Sequence, residues 1–318
     1  MKVIIRADAS FQIGSGHVMR CLTIAKKLRD YGCHVQFWME PLEGNLIDFV
    51  KAEGFPNLTE RQQADLYIID HYQLGKEWEQ SIRSFTKKIV VIDDLAREHD
   101  CDLVLDQNVV PNYKTRYDEL VPATCVKLLG PQYLMMRDEF VEARKKIRTR
   151  NDNIERLLIF MGGTDPTNET MKILQALQFF NFSHVDVGVG NGNPIKQQIE
   201  MICQERGYHY HCQINYMAEL MQQADFAIGA GGATMWERCY VGLPSSATIV
   251  ADNQISTTVF AHALGVVKNL GWHEQVTAET YKKLLSNLQI GEMSRKGLEL
   301  TATKQPNMWL QEILELIK

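Results

Sequence analysis

Chemistry in this chain of 318 residues starts at a histidine. His17 directly follows Gly14-Ser15-Gly16. A histidine can take a proton from water near neutral pH. Where it opens a helix, the positive end of the dipole disfavours imidazolium and keeps the ring able to accept that proton. Asp8 closes the apolar run before it and is the carboxylate expected to bond the ring and set its tautomer. A second constellation is Gly229-Ala230-Gly231-Gly232-Ala233-Thr234, with Glu237 one turn further on. Glycines followed by a helix start offer backbone N–H groups to a phosphate, and Glu237 is spaced to accept hydrogen bonds from a ribose diol.

Other clusters carry weaker signals. Gly162-Gly163-Thr164-Asp165-Pro166-Thr167 and Gly188-Val189-Gly190-Asn191-Gly192-Asn193-Pro194 are glycine turns after apolar runs. Thr167 suits a helix cap, and Pro194 suits a helix's first position. Asp8, Asp70-His71-Tyr72 and Asp93-Asp94 fall at the carboxyl ends of expected strands, where open parallel sheets bind ligands. A dinucleotide fingerprint is incomplete, since Met19 stands at the third glycine of Gly14-x-Gly16. No Gly-Lys-Ser/Thr phosphate loop occurs. Asp100-Cys101-Asp102 has a metal-binding look but leads into a strand, the wrong end of a sheet for that role. His209-x-His211 reads as a satisfied pair on one strand face.

These residues need a scaffold. Val3 to Ile5 is an apolar run, and Val18, Cys21, Leu22, Ala25 and Leu28 recur at helical spacing up to Gly32. The order is strand, glycine loop, helix. Apolar runs follow at Val35–Met39, Leu66–Ile69, Ile89–Ile92, Leu103–Leu105 and Val126–Leu129. Helical patterns over 17–30, 44–53 and 76–85 alternate with them. That rhythm makes a doubly wound parallel sheet. The charged stretch Glu142 to Asn153 is expected to connect two domains. A second α/β unit then opens at Arg156–Met161. Strands are expected there at Val185–Val189, Tyr208–Cys212, Phe226–Ile228, Ser246–Ile249 and Gly265–Val267. Helices are expected at 167–180, 194–206, 216–223, 234–241, 254–263 and 277–286, with a closing amphipathic helix at Met308–Ile317. The expected architecture is α/β: an N-terminal domain over 1–145 and a C-terminal one over 154–318, both Rossmann-like and facing a cleft. The last helix is free in this scheme to pack back on the first domain.

Composition narrows the classes. Hydrophobic residues make up 45% and charged residues 23%, with a net charge of -5, which argues against a dedicated nucleic-acid or anionic-membrane binder. Arg6 and Asp8 interrupt any leader-like opening, and no stretch approaches a membrane span. The 7 cysteines are scattered without a C-x-x-C, as expected of reduced thiols in the cytoplasm.

The stretch Arg6-Ala7-Asp8-Ala9-Ser10 followed by Ile13-Gly14-Ser15-Gly16-His17-Val18-Met19-Arg20-Cys21-Leu22 resembles the opening of the PseG/SpsG family of nucleotide-sugar hydrolases. The likeness continues through Asp70-His71-Tyr72, Asp93-Asp94, Cys101-Asp102, Leu105-Asp106-Gln107-Asn108, Leu129-Gly130-Pro131, Met161-Gly162-Gly163-Thr164-Asp165, Gly231-Gly232-Ala233-Thr234 with Glu237, and Ala251-Asp252-Asn253-Gln254. It implies a GT-B fold of MurG type with UDP mainly on the C-terminal domain. It implies hydrolysis of UDP-2,4-diacetamido-2,4,6-trideoxy-β-L-altropyranose, on the route to pseudaminic acid, with no cofactor and no metal. His17 is implied as the general base, with Tyr72 and Asn253 at the substrate. The full expected site has His17, Tyr72 and Asp8 as catalytic residues, and Arg6, Gly14, Gly16, Asn253 and Gln254 on the sugar. Gly163, Thr164, Gly231, Gly232, Ala233, Thr234 and Glu237 are expected on the nucleotide. One base and a departing diphosphate on opposite faces of the sugar predict inversion at the anomeric carbon. Neighbouring pathway enzymes are the other expected partners. A glycosyltransferase of spore-coat or surface polysaccharide synthesis shares these motifs and is the alternative; a non-catalytic nucleotide-sugar binder is a second.

Overall fold

The apolar run Val3-Ile4-Ile5 is buried on both faces of a sheet. Val3 and Ile5 pack into one core with Leu66, Ile68, Val90 and Ile92. Ile4 points the other way, into a second core with Tyr67, Ile69, Ile89 and Val91. Parallel strands covered on both sides read as continuous apolar runs for this reason. The computed structural model describes residues 1–318 as two units, Met1–Met136 with Thr303–Lys318, and Arg137–Ala302.

The first unit runs β1 (Lys2–Ala7), α1 (Gly16–Asp30), β2 (His34–Trp38), α2 (Ile47–Ala52), β3 (Asn57–Leu58), β4 (Ala64–Asp70), α3 (Lys76–Ile82), β5 (Thr86–Ile92), β6 (Leu103–Asp106) and β7 (Val126–Leu129). Its sheet has the order β3-β2-β1-β4-β5-β6-β7, and every pairing is parallel. Strand order reverses between β1 and β4, where Ala7 lies opposite Asp70. That reversal is the switch point at which such sheets bind ligands.

The second unit runs α4 (Asp138–Arg144), β8 (Arg156–Phe160), α5 (Glu169–Leu177), β9 (His184–Val189), α6 (Lys196–Arg206), β10 (His209–Cys212), α7 (Met217–Gln223), β11 (Phe226–Ala230), α8 (Ala233–Tyr240), β12 (Ser245–Ile249), α9 (Ile255–Ala263), β13 (Lys268–Trp272), α10 (Ala278–Ser286) and α11 (Met293–Leu300). Its parallel sheet has the order β10-β9-β8-β11-β12-β13, with its switch point between β8 and β11. The chain closes with α12 (Met308–Leu316), whose Trp309, Leu310 and Ile313 lie in the same core as Val3 and Ile5. No helix is long and apolar enough to cross a membrane.

Two expectations are corrected. The strand placed at Gly265–Val267 lies at Lys268–Trp272. Gly265 has φ +72°, and the Val266 N–H donates to Ala261, so the chain there is still closing α9. The stretch Glu142 to Asn153, expected as a connection, is fastened to the second unit by its arginines. Arg150 donates to the carbonyls of Met221, Gln222 and Ala224 at the end of α7 and of Val241 and Gly242 after α8. Arg144 reaches Tyr240, Leu298 and Thr301, and Arg148 reaches Gln222, Gln223 and Asp225. Helix C-termini leave carbonyls without intrahelical partners, and a guanidinium fork can satisfy several of them. The arginines of this charged run therefore tie it down through polar contacts.

Candidate active site

His17 is the second residue of α1, carried to the end of β1 by the loop that begins at Asp8. Ser10 shapes that loop: its hydroxyl accepts from the Gln12 and Ile13 N–H groups, and its carbonyl accepts from Gly14. Gly14 turns with φ +79°, and a Cβ added at Gly14 or Gly16 would meet nothing within 4 Å.

The ring of His17 is held by Asp70, the last residue of β4. Nδ1 lies 2.6 Å from Asp70 Oδ1. Arg20, one helical turn after His17, grips the same carboxylate with Nε at 2.5 Å and Nη2 at 2.6 Å and reaches Asp94 at 3.2 Å. Burial raises the cost of charge on Asp70, yet the Arg20 guanidinium and His17 outweigh it and hold the carboxyl well below the usual aspartate range. An ionised Asp70 can only accept and Arg20 can only donate. The ring proton therefore sits on Nδ1 toward Asp70, which leaves the Nε2 lone pair as the acceptor. Tyr72 sets its ring edge-on to His17, 4.4 Å between centroids. Its hydroxyl bonds Asp94, and burial, with that carboxylate, pushes its pKa up, so Tyr72 stays a phenol and a hydrogen-bond donor.

Asp8 does not hold His17, which corrects the expectation. Its Oδ1 and Oδ2 receive Arg6 at 2.6 and 2.9 Å, Oδ1 also receives the Glu40 N–H, and His71 Nε2 lies 3.0 Å from Oδ2. Burial opposes its ionisation, but the bonds from His71 and Arg6 keep its pKa below the usual range. The physical reason lies in strand order. Asp70 ends the strand beside β1, whereas Asp8 is taken up by Arg6 of β1, the Glu40 N–H after β2 and His71 after β4, and Arg6 is held over Trp38 at 5.4 Å. Asp8 and Arg6 thus brace the loop that presents His17.

The glycine turns of the second unit lie at its own switch point. Gly162 and Gly163 follow β8; Gly231 and Gly232 follow β11 and lead into α8, which opens at Ala233. A Cβ on Gly231 would strike Thr258 Oγ1 and crowd Gln254, so α9 packs close against this turn. Gln254 Oε1 accepts from the Val250 N–H, and the Gln254 side chain lies beside the Gly231 turn. Thr234 Oγ1 lies 3.4 Å from Nη1 of the buried Arg238. A Cβ on Gly192 would meet Thr164 at 3.0 Å, so the turns after β8 and β9 touch. Glu237 accepts from Arg137 at 3.1 Å.

The expected site residues thus form two groups. Arg6, Asp8, Gly14, Gly16, His17 and Tyr72 belong to the first unit. Gly163, Thr164, Gly231 to Thr234, Glu237, Asn253 and Gln254 belong to the second. The sequence motifs at 6–22 and 70–72 contain Arg20 and Asp70 without singling them out as site residues; an acid at the end of an apolar run is the one signal Asp70 offers. Asp100 and Asp102 are engaged by Arg83, and His211 bonds Asp186 at 2.8 Å.

No family model matches the chain. It is 29% identical over 272 residues to the UDP-2,4-diacetamido-2,4,6-trideoxy-β-L-altropyranose hydrolase of Campylobacter jejuni, covering 82% of this chain and 96% of that one. It is 25% identical to the spore coat polysaccharide biosynthesis protein SpsG of Bacillus subtilis, over 96% of this chain and 92% of that one. It is 24% identical to a Helicobacter pylori protein named as both pseudaminic acid cytidylyltransferase and that hydrolase, over 99% of this chain but 56% of that one. Among solved structures, MurG of Acinetobacter baumannii matches with TM-score 0.65 at 16% identity over 99% of each chain. UDP-GlcNAc 2-epimerase of Neisseria meningitidis matches with TM-score 0.60 at 11% identity, also over 99% of each. The fold is GT-B, and the resemblance to the PseG/SpsG family read from the opening motif extends over most of the chain, carried by relatives named for both branches.

Proposed function

We propose that the chain is a UDP-sugar hydrolase that releases UDP from UDP-2,4-diacetamido-2,4,6-trideoxy-β-L-altropyranose by inverting attack of water at the anomeric carbon. The observation that carries this reading is the His17–Asp70 contact at a sheet switch point. Asp70 fixes the tautomer, Nε2 of His17 takes a proton from water, and the carboxylate stabilises the imidazolium that forms. The C1–O bond to the diphosphate breaks as the water oxygen bonds C1, and the electron pair leaves with UDP. A diphosphate needs its charge met more than it needs a proton, and the N–H groups around Gly231 to Thr234 at the start of α8 serve that need. Glu237 is assigned to the ribose, Gly163 and Thr164 to the nucleotide, and Tyr72, Asn253 and Gln254 to the sugar. With all seven cysteines free, the cytoplasm is the compartment proposed.

The test is incubation with the UDP-diacetamido sugar and no acceptor, followed by NMR. Stoichiometric UDP and free sugar support hydrolysis; UDP release only on addition of an acceptor points to the second reading, a glycosyltransferase. That alternative draws support from the SpsG relative, which matches 96% of this chain.

A further inference from the structure

The two oxygens of Glu237 are in different situations. Oε1 accepts from Nη2 of Arg137 at 3.1 Å, while Oε2 is buried with no hydrogen-bond partner. Arg137 is itself immobilised: its Nη1 pairs with Glu139 at 2.6 Å, and its guanidinium lies over the Phe140 ring, 4.8 Å from the centroid. A carboxylate clamped on one side cannot rotate freely, and its second oxygen is a buried acceptor of fixed direction.

We infer that Arg137 is a positioning residue that commits one oxygen of Glu237 and presents the other to a hydroxyl, so that the site selects ribonucleotides over 2′-deoxyribonucleotides. This rests on the reading of the second unit as the nucleotide site. A hydroxyl donating to a fixed carboxylate makes a charge-assisted bond. A ligand lacking that hydroxyl leaves the buried oxygen unpaired, and sites built around a hydroxyl reject such analogues strongly. Arg137 adds selectivity through Glu237 and makes no contact with the nucleotide itself.

Calorimetric titration of UDP and 2′-deoxy-UDP into the full chain tests this. The unmodified protein is expected to prefer UDP by roughly tenfold or more. In Arg137→Met the ratio falls toward one because UDP weakens while 2′-deoxy-UDP changes little; Glu237→Gln lowers the ratio likewise. Arg137→Lys, which keeps the charge but not the fork, recovers part of it and supplies the comparison if the methionine variant fails to fold. Equal weakening of both ligands, with the ratio intact, means that Arg137 acts on the phosphates or on the fold and overturns the inference. An unmodified protein that binds both ligands equally overturns it as well. An unmodified protein that binds neither removes the nucleotide-site reading beneath it.

Discussion

Nδ1 of His17 and Oδ1 of Asp70 lie 2.6 Å apart, joined across 53 positions of chain. The contact exists because β1 and β4 are hydrogen-bonded neighbours in a sheet whose order reverses between them. Arg20 then fixes the carboxylate from the same helix that carries the histidine.

Replacing Asp70 with Asn keeps the shape but can turn the ring to the wrong tautomer. Turnover is expected to fall about 100-fold or more, with UDP affinity kept. Steady-state kinetics with parallel UDP titration checks this. Near-normal turnover would remove Asp70 from the proton path.

Acid stability follows from the same carboxylates. Asp70 and Asp8 are held below the ordinary aspartate value of 3.8, each against the cost of burial. Below that value the unfolded chain binds protons that the folded chain still refuses. The stabilisation is therefore complete above about pH 5 and is lost progressively as pH falls through about 4 toward the depressed values. Thermal melts should show a steep fall in Tm beneath that point. Asp70→Asn should flatten the fall. A wild-type Tm indifferent to pH across the same interval contradicts this.

Two adjacent glycines should respond differently to alanine. At Gly231 the new Cβ strikes Thr258 Oγ1, whereas at Gly232 the nearest atom is Gln254 Nε2 at 3.5 Å, an ordinary contact. Gly231→Ala is expected to lower Tm. Gly232→Ala should melt normally yet bind UDP about tenfold or more weakly, since the methyl holds a phosphate away from the backbone N–H groups. Unchanged UDP binding in Gly232→Ala would move the diphosphate elsewhere.

The C-terminal helix should stabilise the first unit. Trp309 is fully buried in the core that holds Val3 and Ile5. Trp309→Ala should cost about 3–5 kcal/mol. Hydrogen exchange should show the loss in β1, β2 and β4 and spare β8 to β13; uniform loosening of both sheets would contradict it.

Much of this was legible in the sequence. Strands β1, β4 and β5 announced themselves because parallel strands buried on both faces are apolar without a break. The spacing of Val18, Cys21, Leu22, Ala25 and Leu28 marked α1 and so placed His17 at its start. Asp70 was legible only as one of several strand-end acids, because it comes near His17 only once β4 lies beside β1. The strap at Arg144, Arg148 and Arg150 looked like a linker because its contacts are mostly to backbone carbonyls, which leave no apolar pattern. Val266 and Val267 looked like a strand because they are buried, though in the turn that closes α9.

The measurement that bears most directly on the central claim is turnover of the UDP-diacetamido sugar in ¹⁸O-labelled water, with NMR of the first-formed anomer and mass spectrometry of both products. The account predicts label on C1 of the free sugar, none on UDP, an inverted anomer, and a rate cut about 100-fold or more in His17→Asn. Label on the β-phosphate of UDP, net retention, or a His17→Asn protein of near-normal rate would contradict it.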